Sequence, residues 1–219
     1  MACCTERKKI LEAKEKLIFR QTSDCLIGTY ISSGFIMRNN THILLEKENS
    51  NLNLKYVLSI LNSKLLDWYY WTINPEHGEA LAEVKAFHLG LLPIKVISKE
   101  NQQPFIELAD KMLSLNADLQ KSTQRFIKRV KENLNPAKIS SALESFYTME
   151  FSDFVKELAK QKVKLSLKQQ DEWEEYFAEY KENCVLLQEQ INTTDAEINQ
   201  LVYKLYDLTE EEISAVEGK

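Results

Sequence analysis

Apolar positions recur with two different periods along this chain. Up to about residue 100 the apolar runs are short and β-type in composition: residues 16–21, 25–31, 35–38 and 42–45. Ser32-Ser33-Gly34 and Asn39-Asn40-Thr41 separate them, and turn residues between short apolar runs predict a β-meander. The polar stretch 49–53 offers helix N-caps. Beyond it, Leu54, Val57, Leu58, Leu61, Leu65 and Trp68 keep helical spacing, which predicts one helix over 54–71. Residues 72–83, with Pro75 and Gly78, read as a loop. Residues 84–87 and 91–97 read as short extended segments, Pro93 favouring an edge or an exit.

After residue 100 the period changes to that of long helices. Gln103-Pro104 reads as a helix start with proline at the first position. Phe105, Leu108, Met112, Leu115, Leu119, Phe126, Val130 and Leu134 follow in steps that mostly alternate three and four, and Pro136 ends the series. Trp173, Phe177, Tyr180, Cys184, Leu187, Ile191, Thr194, Ile198, Leu201 and Leu205 form a second seam whose steps alternate four and three throughout. Two seams of similar length predict an antiparallel helical pair. Ser141-x-x-Glu144 and Ser166-x-x-Gln169 read as capping boxes framing a short helical insert at about 135–166, and Thr209-x-x-Glu212 caps a last short helix. The expected class is α+β, mostly α overall: a small mixed β-sheet domain over 1–102, then a long antiparallel helical hairpin over 103–219.

Composition narrows the function classes. The 219 residues are 44% apolar and 28% charged, with five glycines and four prolines, too apolar for a disordered chain and too poor in turn residues for an all-β sandwich. No apolar run is long enough to cross a membrane, and the first residues lack a signal-peptide core, so a cytoplasmic, membrane-free protein is expected. Cys3, Cys4, Cys25 and Cys184 follow no paired spacing and read as reduced thiols. Net charge is -5 but uneven: residues 169–219 hold 14 acids against three lysines, and that acidic stretch reads as a solvated face that would also repel DNA.

Catalytic motifs are missing from the sequence: no Gly-rich phosphate loop, no GxSxG, no HExxH, and three scattered histidines, His42, His77 and His88. A binding module is therefore expected, with no cofactor of its own. Arg20, Gln21 and Thr22 end one β-type run, and Arg38, Asn39, Asn40, Thr41 and His42 sit at a turn. Arg, Asn and Gln pair bidentately with base edges; these positions are either such readers or ordinary turn residues. Lys64, Lys85, His88 and Lys95 are candidates for phosphate contacts. Lys121, Arg125, Lys128, Arg129 and Lys131, extended by Lys156, Lys160, Lys162, Lys164 and Lys168, form either a solvated helix end or a backbone contact. The rival to DNA reading is an assembly module that dimerises through the 173–205 seam.

Three segments in order carry a family resemblance: Ile18-Phe19-Arg20-Gln21-Thr22, Asn39-Asn40-Thr41-His42-Ile43-Leu44-Leu45, and Tyr56-Val57-Leu58-Ser59-Ile60-Leu61-Asn62-Ser63-Lys64-Leu65-Leu66-Asp67-Trp68-Tyr69-Tyr70, with Leu91-Leu92-Pro93-Ile94 behind them. The chain resembles the TaqI-like C-terminal specificity domain, the target recognition part of type II and type IIG adenine-specific DNA methyltransferases and fused restriction-modification enzymes. Residues 103–111 and 194–213 are similar to the tail that follows it. The resemblance implies double-stranded DNA as partner, together with N-terminal methyltransferase or nuclease domains. It implies S-adenosylmethionine, with magnesium as a further candidate, for those missing domains. Glu76 after Asn74-Pro75 departs from the Asn-Pro-Pro-Tyr methyltransferase motif, so the chain is expected to be the C-terminal portion of a larger enzyme. Among matching positions, Arg20, Gln21, Asn40 and His42 carry over, and the stretch between Tyr70 and Leu91, with Lys85 and His88, is expected to hold further specificity.

Overall fold

The computed structural model describes residues 10, 12–32, 40–79 and 81–218. Two compact units divide the chain: Met1–Leu113 with Thr194–Lys219, and Ser114–Thr193. The α+β, mostly helical class stands.

In the first unit β1 (Glu15–Arg20), β2 (Gly28–Ser32) and β3 (Thr41–Leu44) form a sheet ordered β2-β1-β3, antiparallel in both pairings rather than mixed. The expected meander is corrected, because β3 returns to the free edge of β1 instead of pairing with β2. Burial gives the reason: Leu17 and Phe19 of β1 are fully buried, whereas no residue of β2 or β3 is, so the most apolar run takes the centre. The extended run expected at 35–38 lies outside the described residues. Gly28, opposite Phe19 in the register, has the Phe19 ring where a Cβ would sit. Its N–H and C=O are both bonded by the Asn62 carboxamide at 2.9 Å.

The single helix expected over 54–71 is two: α1 (Leu54–Leu61) and α2 (Lys64–Ile73). Asn62 leaves the helix to hold Gly28, and the fully buried Ser63 Oγ donates to the Ile60 carbonyl and accepts from Leu66 N–H, so one residue closes one helix and starts the next. The break shifts the buried phase. Leu66 and Tyr70 enter the core, whereas Trp68, expected inside, is 37% exposed. Residues 84–87 are not an extended segment either. Glu83 bridges Thr22, and α3 (Ala86–Leu89) follows at once.

The helix expected to start at Pro104 starts five residues earlier: α4 runs Lys99–Leu134 with Pro104 inside it. The buried Gln102 side chain donates to the Asn51 and Ile97 carbonyls and accepts from Asn53 N–H, which anchors the extra turn. In the first unit the N-terminal part of α4 and the C-terminal part of α7 (Leu167–Leu205) contribute Phe105, Ile198 and Val202 to the core of Leu17, Phe19, Tyr56, Leu66 and Tyr70. The chain ends in α8 (Glu210–Val216), whose Thr209–Glu212 capping box is formed as expected.

In the second unit α4 and α7 run antiparallel. Ser122 Oγ meets Asn183 Nδ2 at 3.2 Å and Cys184 Sγ at 3.5 Å, while Phe126 one turn on meets Phe177, Tyr176 and Trp173. The insert is α5 (Ser141–Glu144), a 3-10 turn (Phe146–Thr148) and α6 (Phe151–Lys160). Its first cap is Ser140, not Ser141; the Ser166–Gln169 box is formed. Phe146, Phe154 and Leu158 from the insert bury the fully enclosed Phe126, whose ring stacks on Phe146 at 3.8 Å. Cys25 and Cys184 are free thiols; Cys3 and Cys4 lie outside the described residues. Among the described residues no helix is long and apolar enough to cross a membrane, and no three His, Cys, Asp or Glu side chains group as metal ligands.

Candidate nucleic-acid interface

Beyond β1 the chain leaves the sheet at Gln21, whose N–H bonds the Asn40 carbonyl at 3.1 Å and whose carbonyl accepts from Val84 N–H at 2.7 Å. Segment 83–85 thus adds to the end of the sheet. His42 Nε2–H donates to the Val84 carbonyl from β3. These bonds gather Arg20, Gln21, Asn40, Thr41, His42 and Lys85 at one end of the sheet, although the sequence separates them by up to 65 positions.

The free chemistry of these residues differs. Arg20 and Asn40 are exposed, and Arg20 has no carboxylate partner among the described residues. Gln21 Nε2 holds Glu83 by a long 3.4 Å contact, so its carboxamide is easily redirected. His42 spends one ring nitrogen on the Val84 carbonyl, which gives it a positioning role. Lys85 Nζ lies 3.1 Å from both Glu76 and Glu83. The hydrogen bonds that Lys85 donates to Glu76, then to Glu83, raise its pKa, and the bonds Glu76 accepts from Lys85 and from the Glu83 backbone N–H lower that of Glu76. Two carboxylates around one ammonium leave this patch with a formal charge of about -1, so Lys85 is an internal clamp here rather than a free phosphate anchor.

His88 is half-buried, with its Nδ1 enclosed and unbonded and its ring 6.0 Å from that of Tyr70. Lys64 is not part of this grouping. Its backbone N–H bonds Asn199 Oδ1 and its Nζ lies 3.8 Å from Glu217. Lys95 is spent on Asp207 at 3.0 Å. Arg38 and Asn39 lie outside the described residues.

Exposed aromatic groups were not anticipated. Trp71 stacks on His77 at 4.8 Å and donates its indole N–H to the Asp24 carbonyl, while Asp24 Oδ1 holds His77 Nδ1 at 3.1 Å. Phe87, on the first turn of α3, is 73% exposed. The signal available for Trp71 was the Asn62-Ser63 pair, a capping signature inside an apolar series, which rotates everything after it. Phe87 carried no such signal. The arrangement as a whole offers hydrogen-bond donors and flat apolar surface, the two means by which side chains engage bases, and little net positive charge.

Neither a curated protein nor a solved structure matches the chain. Residues 98–202 match a family model described as a domain of unknown function, DUF8810. Residues 3–94, which hold the sheet and the whole polar grouping at its end, match the family model of the TaqI-like C-terminal specificity domain.

Proposed function

We propose that this chain reads a DNA target sequence as the C-terminal part of a bacterial type II or IIG restriction-modification enzyme, an adenine-specific methyltransferase with or without a fused nuclease. The observation that carries the reading is the addition of segment 83–85 to the sheet end, where Arg20 and Asn40 are exposed and Gln21 is half-buried beside them. Arg38 and Asn39, which precede Asn40 in the sequence, are assigned to the same reader set. In this reading the side chains pair with base edges, His42 and Lys85 hold the frame that presents them, and the parent's catalytic domain flips the adenine. Each bidentate pair contributes about 1–3 kcal/mol of discrimination.

The assembly alternative needs the 173–205 seam as an outward face. Phe177 and Cys184 are buried within the second unit, and Ile198 within the first, so the chain uses that seam itself.

The test is selection of duplexes from a randomised library by the full chain, followed by sequencing. The expected outcome is a short defined motif, flattened at some positions by Gln21→Ala with Asn40→Ala. A library that stays random, or a motif that both substitutions leave untouched, refutes the assignment.

A further inference from the structure

In the first unit Lys14, Arg20, Lys47, Lys99 and Lys204 are exposed with no carboxylate within salt-bridge distance among the described residues, but other lysines there are already paired. Lys55 is held by Asp110 at 2.6 Å, Lys85 by Glu76 and Glu83, Lys95 by Asp207 and Lys111 by Glu197. Binding to duplex DNA draws most of its salt-dependent affinity from phosphate neutralisation, and this set of paired lysines is a poor source of it.

The second unit concentrates cations on one stretch of helix. Residues 120–131 of α4 carry five cations and no acid, all five exposed. Lys121, Arg125 and Lys131 have no carboxylate within salt-bridge distance among the described residues. Lys128 and Arg129 share one, Glu132, at 3.7 and 3.4 Å. Steps of four, three and three keep Lys121, Arg125, Lys128 and Lys131 within about 120° of the helix circumference and spread over about 15 Å of its axis. That length matches about four phosphates of one DNA strand at 3.4 Å each along the duplex.

The crest is flanked on one side by a groove of about 760 Å³, where Gln120, Thr123, Gln124 and Tyr147 add neutral polar groups beside Lys128 and Lys131, with Glu144 as its single acid. On the other side Asp118 and Glu179 line a groove of about 490 Å³ with Lys121 and Arg125, too far to pair with them. Residues 169–193 of α7 carry seven acids against one lysine. The unit is thus polarised, with one helix that attracts a polyanion and one that repels it.

We propose that the Lys121–Arg125–Lys128–Lys131 crest of α4 is a phosphate-backbone site for double-stranded DNA, sequence-independent and separate from the base-reading residues of the first unit. It rests on the reading of the chain as a DNA reader and assigns a role to the region that matches a domain of unknown function. α7 fixes the sense of approach by excluding DNA from its own face.

The test uses the full chain and a 30-bp random duplex, with anisotropy titrations across a salt series from about 50 to 200 mM. The variant is Lys121→Gln, Arg125→Gln, Lys128→Gln and Lys131→Gln together. The control has the same net charge with paired lysines removed: Lys95→Gln, Lys111→Gln, Lys156→Gln and Lys160→Gln. Each phosphate contact contributes about 0.9 to the slope of log K against log salt, so the crest variant is expected to lose about 3–4 from that slope and the control less than about 1. Circular dichroism confirms that both variants keep their helices.

Equal losses in the two variants, an unchanged slope in the crest variant, or no retention by the wild-type chain at the lowest salt overturns the site. A preferred motif retained by the crest variant supports it. A lost slope with no motif in any form of the chain leaves the crest standing and removes the target-reading function instead.

Discussion

Replacing Asp67 by asparagine is expected to stabilise the first unit at neutral pH and to leave it unchanged in acid. Asp67 sits on α2 with one carboxylate oxygen 2.6 Å from the backbone N–H of Leu26. Burial raises its pKa from 3.8 to about 6, against the lowering effect of that hydrogen bond, and the nearby Asp195 and Asp24 raise it further. Asp195 is itself shifted upward by burial, with Lys64 and Asn199 opposing the shift.

A carboxyl whose folded pKa exceeds its unfolded value favours folding when protonated. Its contribution is complete below about pH 4 and disappears as pH rises through about 6. A shift of about two units corresponds to about 3 kcal/mol between these limits. Asparagine keeps the oxygen that accepts from Leu26 N–H and cannot ionise. The difference in unfolding free energy between Asp67→Asn and wild type should therefore grow from about zero at pH 4 to about 2–3 kcal/mol in favour of the variant at pH 8.

Urea unfolding followed by tryptophan fluorescence measures it. Trp173→Phe in both proteins leaves Trp68 and Trp71 as reporters of the first unit. The comparison between variant and wild type cancels the carboxylates whose pKa values are lowered, such as Glu76 and Glu157, which act in the opposite direction. A difference that stays flat from pH 4 to pH 8, or a variant less stable than wild type at pH 8, refutes the argument.

Three further outcomes follow from packing. Gly28→Ala should destabilise the first unit by about 1–2 kcal/mol in urea titrations, although alanine suits a strand better than glycine, because the added methyl overlaps the buried Phe19 ring; Phe19→Leu in the same chain should recover part of the loss. Ser63→Ala should cost about 1–2 kcal/mol, since it removes the cap of α2 and strips a partner from the Ile60 carbonyl; thermal unfolding of equal midpoint would contradict this. Phe126→Ala should cost about 3–5 kcal/mol in the second unit, read from Trp173 fluorescence, because its fully buried ring touches Phe146, Phe154 and Phe177.

Helical seams were the most legible part of the sequence. Every residue of the 173–205 series is buried or half-buried, since a long regular helix leaves periodicity as the only variable. Where a side chain leaves the local pattern to serve a distant backbone, the pattern misleads. Asn62 abandons α1 for Gly28, 34 residues away, and Trp68 is rotated outward in consequence. Gln102 does the same for the start of α4. Strand order was hidden for a related reason, because all three strands are turn-linked apolar runs and only competition for the central position, which β1 takes between β2 and β3, decides the order.

For the polar grouping, the sequence put Arg20 and Gln21 at a strand end and residues 38–42 at a turn, and the pairing of β1 with β3 sets Arg20 opposite Thr41. It carried nothing to indicate that Lys85 would be enclosed by Glu76 and Glu83. Nor could charge counting show that Lys55, Lys85, Lys95 and Lys111 would be paired while Lys121 and Lys131 of α4 would not, because pairing is settled by rotamer and reach rather than by composition.

The segment between α2 and α3 is fastened at both ends. Asn74 N–H bonds the Tyr70 carbonyl at its start, and Val84 N–H bonds Gln21 at its finish. Leu81, between those fastenings, is 80% exposed. A stretch secured in this way tolerates exchange of its tip while the scaffold keeps its shape. Replacement of residues at this tip should therefore leave the hydrophobic interior of the first unit as it is.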